Sequence, residues 1–250
     1  MLLFPPDQSR TLAQLRRIDV PASRPWGPRG DCHWKPINHG VLADTVLGEI
    51  ARTGLRCASA KWAVNDSETD LFGAVVFEPR RALGLPKGTA LALALRHSNA
   101  GRYALTFGFG AQVFVCSNGM LAAQHTVSRK HTTNVRLEEP IREGLARLLE
   151  DTQRISDFVA ELRATRVPPR LADRVLVEAG RRKLLPWSKL GKVEALWRDN
   201  PQRAFRARNA WSLYNCFTEV AKDRGAAGQL GTLEGLSGLF EGRTLKRLRR

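Results

Sequence analysis

The chain has 250 residues, of which 43% are hydrophobic, so it can bury a core and is not disordered throughout. Its 40 lysines and arginines outnumber its 24 aspartates and glutamates and give a formal charge of +16. Such a surface attracts polyanions at long range, which favours nucleic acid as the partner.

The N-terminal segment, residues 1–30, is rich in proline and arginine and predicts an extended arm with a short helix near Thr11 to Arg17. Residues 31–225 are predicted to form a single domain. It opens with a helix over residues 40–53, because the apolar residues there recur at helical spacing. We expect Gly54 to end this helix as a C-cap.

Between residues 55 and 127 the hydrophobic period changes to that of strands, which predicts an antiparallel β-meander. The run Phe107 to Gly110 is glycine-rich, but no Lys-Ser or Lys-Thr follows it, so we expect a kink between two strands and not a phosphate loop. Residues 90–95 are rich in alanine and also fit a helix. The predicted strands are Cys57 to Val64, Leu71 to Phe77, Ala90 to Arg96, Tyr103 to Phe107 and Ala111 to Cys116.

After residue 132 the period returns to that of helices. A long helix is predicted over residues 137–164, and Pro168 and Pro169 end it. The fold class is therefore α+β, with the meander packed against helices at about 137–224. Residues 226–250 are expected to be a basic C-terminal tail. The shorter predicted helices are Leu171 to Leu184, Ser188 to Arg198 and Ala207 to Arg224.

The positive charge is concentrated in the helical half of the chain. Residues 129–250 contain 26 lysines and arginines against 15 acids, a balance of +11 out of +16. Arginine dominates, and its planar fork suits bidentate contact with phosphate. We therefore predict that cations of the helical half hold phosphates.

A hairpin around residues 97–103 is expected to lie near the nucleic acid strand. Exposed aromatic rings beside cations can stack on unpaired bases, and Trp26 and Tyr103 are the best candidates for this role. The predicted nucleic-acid-binding residues are Arg96, His97, Arg102, Tyr103, Arg129, Lys130, His131, Arg181, Arg182, Lys183, Arg203, Arg206 and Arg208.

The cysteines and histidines do not form a recognisable metal site. The four cysteines lie far apart with no CxxC pair, and they are expected to be reduced thiols of a cytoplasmic protein. Cys116 and His131 form a conceivable nucleophile pair, but a cysteine at the end of an apolar strand is more often a small buried hydrophobe. We therefore expect no catalytic residue, no metal and no cofactor. No signal peptide or transmembrane run is expected.

Short motifs in this chain resemble an uncharacterised phage/plasmid-like protein family of the YfjQ and YafZ type. The motifs are Arg96 to Gly101, Phe114 to Met120, His131-Thr132 and Ala210 to Asn215, and the similarity extends from Trp34 to Gly225. The resemblance implies a mobile-element protein that acts on DNA. A hairpin-rich sheet followed by basic helices is also similar, at the level of the fold, to Rad52-like single-strand annealing proteins.

Three functions remain open from the sequence. The leading hypothesis is a non-enzymatic protein of a mobile element that binds or anneals single-stranded DNA in preference to double-stranded DNA or RNA, as a homo-oligomer. The second is an inhibitor or adaptor that binds a host defence or DNA-processing protein. The third is a metal-dependent nuclease that uses Asp66, Glu68, Asp70 and His131.

Overall fold

The chain folds as an α+β protein in which an antiparallel sheet precedes a group of helices, as the hydrophobic periods predict. No helix in the described part of the chain has both the length and the apolar character needed to cross a membrane. The computed structural model describes residues 7–22, 24–26, 32–78, 85, 89–113, 125–130, 136–224 and 226–249.

The main sheet has six antiparallel strands in the order β1-β4-β5-β6-β7-β8, and β2 and β3 pair separately. From β4 onwards each strand pairs with the next in sequence, which is the predicted meander. The strands are β1 (Ser9–Arg10), β2 (Arg24–Trp26), β3 (Cys32–Trp34), β4 (Cys57–Val64), β5 (Asp70–Phe77), β6 (Thr89–Ser98), β7 (Leu105–Val113) and β8 (His125–Arg129).

The helices before and after the sheet share one hydrophobic core with it. A short 3₁₀ turn also lies at Arg203–Phe205. The helices are α1 (Leu12–Arg17), α2 (His39–Arg52), α3 (Glu138–Glu150), α4 (Thr152–Ala164), α5 (Pro169–Arg181), α6 (Trp187–Arg198), α7 (Ala210–Ala221), α8 (Ala226–Phe240) and α9 (Gly242–Arg249).

The strand β7 corrects the prediction of two strands separated by a glycine kink. It pairs with β6 without interruption from Thr106 to Val113. Gly108 and Gly110 lie opposite Ala94 and Ala92, so small residues face each other across the ladder and no kink is required.

Two helices replace the long helix predicted over residues 137–164, and they meet at Asp151. α3 packs on the sheet so closely that a methyl group added to Gly144 would lie 2.0 Å from the ring of Phe109. α4 packs instead against α7. The chain changes direction at Asp151 because its two halves bury their apolar faces against different partners.

The segment expected to be a basic tail forms α8 and α9. Its apolar residues recur at helical spacing and are buried, with Leu236 and Phe240 at most 1% exposed. Leu245 anchors α9 in the same core. The basic residues in the described part of this segment, Arg243, Lys246, Arg247 and Arg249, are all on α9 and are exposed.

Candidate nucleic-acid interface

Two adjacent clefts lie on either side of Pro168 and Pro169, at the start of α5. Pro168 has extended backbone, and Pro169 occupies the first turn of the helix, where its missing N–H costs nothing. Backbone hydrogen bonds fasten the segment before them to the segment before α7: Val167 N–H donates to Arg208 O at 2.9 Å and Ala210 N–H to Thr165 O at 2.8 Å. The clefts therefore have a rigid wall between them.

The first cleft has a volume of about 390 Å³ and lies between the start of α5 and the end of α6. Trp197, which is 7% exposed, forms part of its lining. The charged residues that line it are Arg166, Asp173, Glu194, Arg198 and Arg208.

Arg208 holds the wall of the first cleft in place. Its guanidinium lies 5.0 Å from the centre of the Trp197 ring. It also donates hydrogen bonds to the carbonyl oxygens of Trp197 and Arg198, the latter at 3.0 Å. These carbonyls are at the C-terminal end of α6, where a cation is electrostatically favoured.

The second cleft, of about 620 Å³, lies between α5 and the end of α9 and is lined by Arg170, Arg174 and Arg249. Arg174 Nη1 donates to Leu248 O at 2.9 Å, and Arg249 Nη2 donates to Arg166 O at 3.0 Å. The first bond joins α9 to α5, and the second joins it to the segment before α5. Arginines that are far apart in sequence are thus brought to one surface.

The charge of the two clefts is strongly positive, with six arginines against two acids. One of the six, Arg198, is neutralised by an ion pair with Glu194 at 2.5 Å. Hydrogen bonds to carbonyl groups orient Arg174, Arg208 and Arg249 but leave their charge uncompensated. Among the described residues, no carboxylate lies within ion-pair distance of those three or of Arg166 and Arg170.

An exposed stripe along α5 extends from the second cleft to the other end of the helix. Arg170, Arg174, Val177 and Arg181 follow one another at intervals of three and four residues and are all exposed. The stripe is about 16 Å long at 1.5 Å per residue. It carries three cations and one apolar side chain.

The predicted cluster of residues 181–183 lies at the far end of this stripe. Arg182 pairs with Glu178 at 2.9 Å, and this pair, with help from Arg247, holds the pKa of the Glu178 carboxyl below its usual range. Arg181 and Lys183 are exposed, and the structure pairs neither with a carboxylate among the residues it describes. They extend the positive surface, whereas Arg182 is engaged within the fold.

The predicted residues Arg203, Arg206 and Arg208 also differ in whether the fold engages their side chains. Arg203 is exposed on the 3₁₀ turn. Arg206 donates to the carbonyl of Asn200 at 3.0 Å and closes the turn after α6. Of these three predicted residues, Arg208 is the one that lines the first cleft.

The predicted hairpin residues lie at one end of the sheet, and none lines either cleft. His97 is fully buried, and its Nε2–H donates to Ile37 O at 3.2 Å. Arg96 lies 5.5 Å from the ring centre of Tyr103, which is itself partly buried. Arg102 pairs with Asp70 at 3.3 Å.

The remaining predicted residues are at the end of β8 or outside the described residues. Arg129 lies 3.7 Å from Glu143 of α3, and Lys130 is exposed. His131 and Cys116 lie outside the described residues, as does the side chain of Trp26.

The carboxylates of the nuclease hypothesis are occupied by other partners. Glu68 pairs with Arg10 at 3.3 Å, and Asp70 accepts a hydrogen bond from Ser98 Oγ at 2.7 Å. Asp66 accepts one from Gln8 at 3.4 Å. Within the described ranges, no group of three or more histidine, cysteine, aspartate or glutamate side chains is placed to hold a metal ion.

Sequence reasoning missed five arginines of the clefts. Two of them, Arg170 and Arg174, are four residues apart on α5, and this spacing was a readable signal for one exposed face. Arg166 lies before Pro168 and is placed by its backbone pairing with Asn209. Arg198 and Arg249 reach the clefts only through the packing of α6 and α9 against α5.

Comparison with known proteins gives one match. Residues 80–234 match the model of a family described as a domain of unknown function, DUF932. Neither the curated proteins nor the solved structures contain a significant match. The matched region includes the first cleft and the whole of α5.

Proposed function

Because this chain belongs to the DUF932 family, whose function is unknown, we propose a function from its own surface: it binds nucleic acid by holding the phosphate backbone in the two arginine-lined clefts. The single observation that carries the proposal is the set of five arginines there with no carboxylate partner among the described residues, namely Arg166, Arg170, Arg174, Arg208 and Arg249.

Uncompensated positive charge in a confined cleft indicates an anionic ligand. A cluster of like charges is unfavourable in the free protein, and an anion that neutralises it is strongly attracted. The five arginines are distributed over two clefts on both sides of Pro168 and Pro169, and the α5 stripe extends the surface further. A polyanion with evenly spaced phosphates matches this arrangement better than one small anion does.

Arginine also suits this role chemically. Its planar fork forms two parallel hydrogen bonds to a phosphate, and its pKa keeps it charged at every physiological pH. Arg174, Arg208 and Arg249 are already oriented by bonds to backbone carbonyls, so less side-chain entropy is lost on binding. The clefts are therefore preorganised for phosphate.

The finer parts of the proposal concern strand type, biology and assembly. We favour single-stranded DNA over double-stranded DNA or RNA, and binding or annealing without chemical reaction. The resemblance to phage and plasmid proteins supports a role in a mobile element, and the analogy to Rad52-like proteins supports action as a homo-oligomer. A protein partner in place of nucleic acid is the competing function, and it predicts no affinity in the titration below.

The test is a titration of fluorescently labelled DNA with the full chain at several salt concentrations. We expect binding whose logarithmic affinity falls with the logarithm of salt concentration, with a slope of about 0.7 for each phosphate contacted on a single strand. Five arginine contacts therefore predict a slope of about 3.5. Protein that binds neither DNA nor RNA at low salt would refute the proposal.

A double variant locates the binding surface. Arg166→Ala with Arg170→Ala removes two cleft cations whose side chains make no hydrogen bond within the described fold, so stability should be unchanged. The matched control is Arg17→Ala with Arg56→Ala, which removes the same charge from exposed positions elsewhere. The cleft variant should lose affinity and about 1.4 units of salt slope on single strands, whereas the control should keep both. Equal loss in both variants would mean that net charge, and not the cleft, controls binding.

A further inference from the structure

Trp187 is the most exposed of the large hydrophobic side chains in the described residues, with 60% of its surface accessible. The other tryptophans whose side chains are described are at most 7% exposed: Trp34, Trp62, Trp197 and Trp211. Trp187 was not among the stacking residues predicted from the sequence. Core packing therefore does not account for the position of this ring.

The ring of Trp187 lies against α5. A β-carbon placed on Gly180 would lie 2.5, 2.6 and 2.7 Å from three neighbouring atoms of the six-membered ring. Three nearly equal distances place that point over the face of the ring, since a point in the ring plane would be much closer to one atom than to the others. One face of the indole thus covers the backbone of Gly180, and the opposite face is open to solvent.

Local structure constrains the backbone at the start of α6 and at the end of α5, the two segments that meet at the ring. Trp187 begins α6 directly after Pro186, whose ring limits the backbone there. α5 ends in a Schellman motif, in which Lys183 N–H donates to Gly180 O at 2.9 Å and Leu184 N–H to Ala179 O at 3.0 Å. Lys183 has a φ of 57°, a conformation that normally favours glycine.

Two cations follow closely in the chain after the glycine that this ring covers. Arg181 follows Gly180 directly, and Lys183 occupies the turn that closes on the Gly180 carbonyl. Both are exposed, and neither pairs with a carboxylate within the described part of the chain. An open aromatic face with exposed cations in the adjoining turn has the chemistry of a site for a base and its phosphate.

The ring is also continuous with the phosphate-binding surface. α6 runs antiparallel to α5, because Trp187 covers the end of α5 while Trp197 lines the cleft at its start. The exposed α5 stripe, about 16 Å long, connects the second cleft to Arg181, the residue that follows the glycine under the ring. A strand that leaves the cleft along this stripe reaches Trp187.

We propose that the open face of Trp187 stacks on an unpaired base of a single-stranded nucleic acid whose phosphates lie against Arg181 and Lys183. This inference rests on the proposed function and adds the strand preference to it. A base within a duplex is stacked on both sides by its neighbours and cannot lie on the ring, so the site selects single strands.

The experiment compares Trp187→Ala, Trp187→Phe and the unaltered full chain on a single-stranded oligothymidylate and on a duplex of equal length. We expect Trp187→Ala to bind the single strand about tenfold more weakly, because base–aromatic stacking is lost. Binding to the duplex and the salt slope should remain unchanged. Trp187→Phe should retain most of the affinity. The matched control is Val41→Ala, which removes an exposed apolar side chain of 54% accessibility from α2 and should change neither affinity.

A direct optical readout guards against an indirect effect of the substitution. The fluorescence of the unaltered chain minus that of Trp187→Phe isolates Trp187, and oligothymidylate should quench it. Unchanged single-strand affinity in Trp187→Ala, equal losses on both nucleic acids, or no quenching would each overturn the inference. These results differ from failure of the proposed function, in which the unaltered chain binds no nucleic acid at all.

Discussion

The guanidinium of Arg102 lies 3.3 Å from the carboxylate of Asp70, whose side chain is 5% exposed. Ser98 Oγ donates to the same carboxylate at 2.7 Å, and Arg102 also donates to Thr69 Oγ1 at 3.1 Å. These contacts tie Thr69 and the first residue of β5 to the turn after β6. Arg102, a residue predicted to bind nucleic acid, therefore has a structural partner at the end of the sheet.

Arg102→Ala should lower the free energy of unfolding by about 1 to 2 kcal/mol, because a buried carboxylate loses a charged donor. Nucleic acid affinity should change little, since Arg102 lines neither cleft. Urea unfolding and DNA titration of the same preparation measure both quantities. Arg102→Lys should recover part of the stability, and a large loss of affinity in the alanine variant would return Arg102 to the binding site.

His39 should make stability depend on pH. Its ring is 1% exposed, and burial lowers its pKa from the usual 6.5, although its bond to Glu68 O and the nearby charges of Asp70 and Glu68 oppose this shift. The unfolded chain therefore binds the proton more tightly than the folded chain does. The contribution of neutral His39 to the free energy of unfolding is fully present above the unfolded pKa of 6.5 and is lost as pH falls below it.

The measurement is the urea midpoint at about pH 7.5 and pH 5.5, on either side of the ordinary histidine pKa of about 6.5. His39→Gln keeps a donor for the Glu68 carbonyl and removes the titration, so its stability should fall less over this interval. The loss attributable to one histidine is at most about 1.4 kcal/mol per pH unit. An identical pH dependence in the variant and the unaltered chain would contradict the prediction.

Arg208→Ala should weaken both the fold and the proposed interface. It removes the cation that lies 5.0 Å over Trp197 and leaves two carbonyls at the end of α6 without their donor. We expect a loss of about 1 to 3 kcal/mol in stability and weaker binding of nucleic acid. Thermal unfolding and DNA titration measure the two effects. Arg208→Lys keeps the charge but not the fork, so salt-dependent attraction should survive while stability falls.

Gly180→Ala tests the geometry under Trp187. The added methyl group overlaps the ring, so the ring must move away from α5. Single-strand affinity should fall about as much as in Trp187→Ala. The matched control is Gly191→Ala on α6, where nothing lies within 4 Å of the added carbon, and where a gain of about 0.5 to 1 kcal/mol in stability is expected. A Gly180→Ala protein with full affinity would contradict this geometry.

The elements that local signals define were predictable from the sequence. The bounds of β4 are those predicted, and Gly54 has a φ of 70° at the end of α2, as a C-cap glycine requires. The helix break at Asp151 was not predictable, since residues 137–164 contain one glycine and one proline near their start and keep helical spacing throughout. Tertiary packing against two different partners decides that break.

The candidate site was predictable only in part, for a similar reason. The excess of arginine in the helical half indicated a basic surface, and Arg181, Lys183 and Arg208 lie on it. Composition does not show which arginines are oriented by carbonyl groups and which are neutralised by carboxylates. Arg102 and Arg182 are neutralised by carboxylates. Nor does the position of Trp187 beside a predicted helix show that the ring covers a glycine and points outward.

The attachment of α9 to the second cleft makes ligand binding and helix docking interdependent. Arg174 and Arg249 hold α9 through backbone carbonyls, and the same two side chains are proposed to face phosphate. A ligand that fixes these side chains also holds α9 in place. By thermodynamic linkage, any change that loosens α9 lowers the affinity for the ligand. The amide protons of Gly242–Arg249 would then exchange more slowly with solvent when the clefts are filled. Hydrogen exchange of this helix therefore reports whether the clefts hold a ligand.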